Sequence, residues 1–453
     1  MSRLSRRDLL AAGAAMPLLG CATTAASRTA DWRVADAIAA AIRRPVFRQQ
    51  NFTITRYGAR EGGAVDALPA IRAAIGACHD AGGGRVVVPA GLWRVDGPIN
   101  LRSNVDLHVA DGATLRFSPD PALYLPQVLT RWEGAEAWNY SPMLYTRGAT
   151  NIALTGGGTY DGQGQQHFLP WRARQGPAQA RLRRMGNDGA ALHDRVFGTG
   201  DWLRPAFVQF FDCSRVLVDG PRFVDSPFWV IHPVYCRDVT IRNTTVISRH
   251  INSDGCDPDS CTNVLIEHCR FDVSDDCIAI KSGRDQDGWR VARPSSRIVV
   301  RDCDMQTNVA AAFGIGSEMS GGVHDVFVEK LRVSHAEYAL YFKANLDRGG
   351  VVERICIRDV AIAQCAVPIQ FTTAYHSWRG GNYPPTYRDF VIEDLRCAAA
   401  GKALHIVGVP TAPVQDVRLS RVRIDAATNA SEIAHATGLL LDDVSVNGSP
   451  FTV

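Results

Sequence analysis

The sequence lacks any early apolar run long enough to cross a bilayer: Leu9–Leu19 falls well short of the ~20 residues that a spanning helix needs. It also lacks a strong charge of either sign. Lys and Arg total 49 against 46 Asp and Glu, a net charge of +3. That excludes a nucleic-acid polycation and an acidic halophilic surface. No Cys-x-x-Cys pair occurs among the 12 cysteines, so structural zinc finds no suitable spacing. Hairpin signals are sparse, which argues against an antiparallel propeller.

What is present is a soluble globular composition, 46% hydrophobic and 21% charged. A length of 453 residues suits one large solenoid or two to three ordinary domains. Forty Gly and 23 Pro predict many turns. At the N-terminus, Ser5-Arg6-Arg7-Asp8-Leu9-Leu10 resembles a twin-arginine export signal. The run ends in Leu18-Leu19-Gly20-Cys21, which resembles a lipoprotein signal with Cys21 as the lipidated residue. Cys21 is therefore the expected membrane anchor, in a protein exported to the periplasm or cell envelope. Without it an odd number of cysteines remains, so complete internal pairing is impossible. These cysteines read as buried small hydrophobes, with one disulfide at most.

Residues 27–48 read as a linker and short helix after a signal over 1–26, and 49–453 as the main domain. Ile71 and Ile75 have helical spacing, and Gly82-Gly83-Gly84 stops that helix. A short helix here predicts a cap over the raw end of a solenoid. From Val105 onward the chain repeats an apolar-x-apolar strand. From Val216 the starts are Val239, Val264, Ile298, Val326, Ile355, Phe390 and Val417, spaced 23, 25, 34, 28, 29, 35 and 27 residues apart. A period in the twenties, with short strands, predicts an all-β, single-stranded parallel β-helix. Residues 163–203 break the repeat and read as an insertion beside the groove, partly helical.

Two acidic blocks sit at matching phase after consecutive strands. Asn252-Ser253-Asp254-Gly255 follows Val239–Val246, and Ser274-Asp275-Asp276 follows Val264–Phe271. On a coil, Asp254, Asp275 and Asp276 face one groove, with Asp254 and Asp275 expected as axial neighbours. Crowded carboxylates cannot all ionise cheaply, so such a wall offers an acid and a base together, as glycosidic hydrolysis requires. Asp257 and Asp259 read as turn and capping acids. Later coils add Ile315-Gly316-Ser317, Tyr341 and Lys343 to the same groove, and Lys281 and Arg284 are further candidates to line it. A long open groove suits a polymer.

These blocks, in this order, resemble the signatures of glycoside hydrolase family 28, the polygalacturonase family. Pro89-Ala90-Gly91, Trp132-Glu133-Gly134 and Ser226-Pro227-Phe228-Trp229 add to the likeness, which covers roughly residues 50 to 420. The resemblance implies a right-handed β-helix and hydrolysis with inversion of α-galacturonosyl linkages in pectic chains. It implies Asp275 as general acid, and Asp254 and Asp276 as the pair that holds and deprotonates water. Asn252, Tyr341 and Lys343 become the expected substrate contacts. No cofactor and no metal are expected; calcium on the Asp cluster is the weaker alternative. The expected partner is a pectic polysaccharide or oligosaccharide, not nucleic acid, and the expected state is a monomer. Two departures stand out. Val309-Ala310-Ala311-Ala312 replaces the family's Gly-His-Gly block, and Tyr341 replaces the Arg of its Arg-x-Lys block. The loss of a bidentate Arg weakens the sugar assignment more than the bond-breaking one. Tyr341 is then a candidate to stack on a sugar face. The alternatives are another pectic linkage such as rhamnogalacturonan, a lyase on the same solenoid, and a non-catalytic carbohydrate-binding solenoid. The 163–203 insertion favours exo action by blocking one end of the groove.

Overall fold

The computed structural model describes residues 29–376 and 379–452, so the export and lipidation motifs around Arg6, Arg7 and Cys21 lie outside the described residues. The chain winds into a right-handed parallel β-helix. Its main ladder runs Val105, Ile152, Val216, Val239, Val264, Ile298, Val326, Ile355, Phe390, Val417, each residue paired in parallel with the next. These are the apolar starts read from the sequence. Alternation does the work: Val216 and Val218, or Val264 and Ile266, point inward and are fully buried.

The residue before each ladder position has a left-handed backbone, including Asn151 (φ 60), Asp238 (φ 57), Asn263 (φ 58) and Asp325 (φ 57). A second such corner follows each strand, at Asn243, His268, Asp302 and Asp359 among others. Asn and Asp tolerate this region best, which explains the polar residue at each bend. The corners also bond from coil to coil: Asn263 Nδ2 donates to Asp238 Oδ1 (3.0 Å), and Arg297 Nε to Asn263 Oδ1 (2.7 Å).

The eleven cysteines among the described residues are all buried, and no disulfide joins any two of them. Cys236 and Cys261 each donate to a carbonyl of the preceding coil, Phe210 O at 3.1 Å and Pro233 O at 3.2 Å. The one permitted disulfide is thus absent among them.

The helix Leu68–Asp80 starts with Pro69 in its first turn and stops at Gly82 (φ 87). Its buried face, Leu68, Ile71, Ala74, Ile75 and Cys78, caps the core at the N-terminal end. In the segment expected as a linker and short helix, the described residues form a strap along the solenoid. Helix Trp32–Ala41, capped by Asp31, packs Ala35, Ile38 and Ile42 on Leu265, Val299, Phe327, Cys356 and Val391, one residue from each successive coil. The chain then continues toward the other end, through Arg43 on Asp238 (2.9 Å), Val46 O on Asn151, and Arg48 on Ala81 O (2.8 Å). The apolar face of this helix covers a row of outward apolar residues that the ladder would otherwise leave wet.

Ile38→Ala should weaken this docking by about 2–4 kcal/mol. Hydrogen exchange is expected to rise across residues 32–42, with the ladder amides unchanged; uniform loss of protection would show that the strap is part of the global unfolding unit.

Candidate active site

Asp254 follows the strand Thr245–Ser248 and the pair Asp275-Asp276 follows Arg270–Val273, strands that are in register from Thr245 opposite Arg270 to Ser248 opposite Val273. The turns then differ in length, and the axial neighbour of Asp254 is Asp276, not Asp275: the Gly255 N–H donates to Asp276 O (2.8 Å) and Cys256 bridges to Ile278. Gly255 is required by close packing, since a Cβ there would lie 2.4 Å from Phe271 Cδ1 and 2.5 Å from Cys277 O. Oxygens of all three carboxylates come within 4.8 Å of one another.

Each acid is held differently. Asp275 accepts the N–H of Asn252 (2.9 Å) on Oδ2 and that of Asp276 (3.0 Å) on Oδ1. Asp276 accepts Lys343 Nζ (2.6 Å) on Oδ2 and the Ala311 N–H (2.9 Å) on Oδ1. Ala311 stands where the resemblance leads one to expect the Gly-His-Gly block, and serves Asp276 through its backbone. Asp254 Oδ2 lies 3.6 Å from Lys281 Nζ, while Oδ1 is buried without a protein partner.

Burial first, then the neighbouring carboxylates, push the Asp254 and Asp275 carboxyls up; Lys281 beside Asp254 and Lys343 beside Asp275 pull back. Glu318 goes the other way. Burial would raise it, but Lys281, Arg284 and Arg348 together hold it well below the usual range. The group therefore holds carboxyls inclined to keep a proton beside one committed to its charge. Two ammonium groups already offset two of the three charges the Asp trio could carry, which weakens the field that would attract a divalent cation.

The surrounding cleft is about 670 Å3, and Asn252, Asp254, Asp275, Asp276, Lys281, Arg284 and Lys343 line it. Helix Gly176–Asn187 and the turn before it bring Arg172, Gln175, Gln179 and Arg183 to its wall from the insertion, which is partly helical as expected. Glu133 ties this wall down, accepting from Arg183 (2.7 Å) and Gln179 (2.9 Å), while its backbone carbonyl accepts Arg284 Nε (2.9 Å). Arg284 in turn pairs with Glu318.

Three expectations change. Asp257 and Asp259 are not turn acids. Both are fully buried: Asp259 is paired with Arg131 (2.8 Å), and Asp257 lies 3.8 Å from Lys281 with neither oxygen hydrogen-bonded. Tyr341 is 6% exposed and does not line the cleft; it packs on Tyr338, with ring centroids 4.1 Å apart, behind Lys343. Tyr375 and His376, from the next coil, occupy the wall instead, with Lys343 Nζ 5.1 Å from the Tyr375 ring. Cations the motif reading left out, Arg183 and Arg348, also reach the cleft. Lys281 and Arg284, flagged by their position after the acid pair, are both there.

The family model for glycosyl hydrolases family 28 matches residues 78–440. A probable polygalacturonase of Vitis vinifera is 30% identical over 368 residues, covering 78% of this chain and 69% of that protein. The solved structure of a hyperthermoactive exopolygalacturonase from Thermotoga maritima is 37% identical, with a TM-score of 0.87 over 92% of this chain and 96% of that one. A polygalacturonase structure from Erwinia carotovora, 22% identical, shares the fold with a TM-score of 0.67 over 87% and 98%.

Burial raises the Asp257 carboxyl well above its ordinary value despite Lys281. A raised acid favours the fold fully below its unfolded pKa, and that contribution is lost as pH rises through the folded one. Asp257→Asn should therefore raise the melting temperature at neutral pH, with the gain shrinking below about pH 4, where the acid is protonated in both states. Thermal scans across pH check this; a loss at neutral pH would mean that its charge is needed by Lys281.

Proposed function

This chain belongs to the glycosyl hydrolases family 28, and we propose that its reaction is hydrolysis of α-galacturonosyl linkages at the ends of pectic chains. That it is a glycoside hydrolase follows from the family. The single observation that carries the mechanism is the Asp trio, with oxygens within 4.8 Å and each carboxyl in a different setting.

In this reading Asp275 keeps a proton and gives it to the glycosidic oxygen as the C1–O bond breaks. Asp276, bonded to Lys343 Nζ and the Ala311 N–H, holds the attacking water together with Asp254. The water oxygen bonds to C1, its proton passes to that pair, and the product carries an inverted anomeric centre. Inverting enzymes commonly separate acid and base by ~6.5–9.5 Å. The shorter spacing here suits a water held on the rim of the trio, not one between two opposed acids.

The substrate class rests on charge. A galacturonosyl carboxylate is the target that the absent Arg would clamp, and Lys343, Arg183 and Arg172 line the cleft that would receive it. The relatives, a probable polygalacturonase and an exopolygalacturonase, agree with that chemistry. Exo action is supported by the insertion wall of Arg172, Gln175, Gln179 and Arg183. Export by the twin-arginine route, anchoring at Cys21 and a monomeric state complete the proposal.

Asp275→Asn should lower kcat about 100- to 10,000-fold with the fold intact by circular dichroism; near-normal turnover would sink the assignment. Wild type on galacturonan and rhamnogalacturonan oligosaccharides should release terminal sugar from the former only, and proton NMR should show the β anomer first. Unsaturated, ultraviolet-absorbing products would instead indicate a lyase. Cys21→Ala should move the protein from the membrane to the soluble fraction on cell lysis; an unchanged distribution would remove the anchor from the proposal.

A further inference from the structure

We propose that Arg204 is a positioning residue that fixes Asp275 through Asn252. The inference rests on the reading of Asp275 as the acid and goes beyond it to the device that aims that acid. Arg204 follows the insertion and is fully buried. Its Nη2 donates to Asn252 Oδ1 (2.7 Å) and its Nη1 to the Ile251 carbonyl (3.3 Å), so the guanidinium holds two consecutive residues. The Nε donates to Gln175 Oε1 (3.2 Å), a residue of the cleft wall, and the ring of Phe228 lies 4.9 Å away.

Asn252 has a left-handed backbone (φ 60), and in that conformation its N–H donates to Asp275 Oδ2 (2.9 Å). Arg204 thus acts on the acid at one remove. It grips the amide and the preceding carbonyl, and the peptide N–H between them is aimed at the carboxyl. The hydrogen bonds of Arg204 go to neutral oxygens, those of Gln175, Pro227, Ile251 and Asn252, and none to a carboxylate. A buried guanidinium bonded only to neutral oxygens is costly unless its field is used. Burial lowers its pKa to about 10, against the pull of Glu133, Asp275 and Asp254, so it stays a cation at neutral pH. Arg204 is also absent from the cleft lining, so it has no direct contact with the sugar.

Around Asp275 stand Asp254, Asp276, Lys281, Lys343, Tyr375 and Arg204. Loss of the Arg204 charge and of an aimed Asn252 N–H both favour the protonated acid. The limb of the pH–rate profile where the acid deprotonates therefore moves to higher pH. A residue that only packs would lower stability without moving that limb.

The test compares Arg204→Met, Asn252→Gly and Asp275→Asn on a galacturonan oligosaccharide. Glycine keeps the left-handed backbone accessible while removing the amide that Arg204 grips. In Arg204→Met, kcat should fall about 10- to 100-fold with KM within about threefold. Its basic limb should rise by about half a pH unit or more. Asn252→Gly should move the same limb in the same direction, and it carries the test if Arg204→Met does not fold. An inactive Asp275→Asn beside an unmoved limb in the folded variants overturns this inference alone. Turnover retained in Asp275→Asn overturns the acid assignment and this inference with it.

Discussion

The parallel ladder stacks equivalent residues of successive coils about 4.8 Å apart, and that one distance governs both the core and the site. Inside, it places Val216, Val239, Val264 and Ile298 in a continuous dry column, so each coil buries its apolar face only because its neighbours do. Outside, the same rise leaves no room to separate charges. Acids that follow equivalent strands in consecutive coils must stand almost in contact, whatever their preference in water. The cation pairing of the site and the raised pKa values of Asp254 and Asp275 are answers to a spacing that the fold imposes.

The charge balance around the trio follows from that crowding. Asp254, Asp275 and Asp276 could carry three negative charges, while Lys343 and Lys281 supply two positive ones within 3.6 Å. One proton on the trio brings it to neutrality, which a buried wall strongly favours. Lys281 is also drawn toward Asp257 and Glu318, and Arg284 relieves it by taking Glu318. The site thus reaches beyond the residues that would touch a sugar. Through Glu318, Arg284 and Glu133 it ends at Arg183, on the insertion that shapes the cleft.

Much of this was legible in the sequence. Apolar-x-apolar strands at a period in the twenties identified the ladder residue by residue, because inward positions must be apolar in every coil. Asp254, Asp275, Asp276 and Lys343 were legible because turn acids and a lone lysine recur at one phase of the repeat. Phase alone misjudged the rest. Asp257 and Asp259 sit in a motif that also makes good turns, and only burial separates the two uses. Tyr341 lies two residues before Lys343, yet the ring is packed on Tyr338 behind it. Arg204, Tyr375 and His376 reach the site from remote coils, and no local pattern marks them.

A signal for those remote residues does exist, in the irregularity of the period. The ladder interval from Val264 to Ile298 is long, and its excess holds Arg284 and the helix Asp285–Val291. The interval from Ile355 to Phe390 is long as well, and it carries Tyr375 and His376. The longest, from Ile152 to Val216, contains the insertion with Arg172, Gln175, Gln179 and Arg183, and Arg204 behind them. A coil at minimum length has residues only for strands and corners. Extra residues must leave the solenoid where the backbone can turn outward, and here these three excursions, with a fourth between Val105 and Ile152 that carries Glu133, leave beside the same acids. The regular part of the repeat therefore builds the wall on which the carboxylates stand. Its four departures build the rim that gives the wall a cleft, and with it the cations that an anionic chain would meet first.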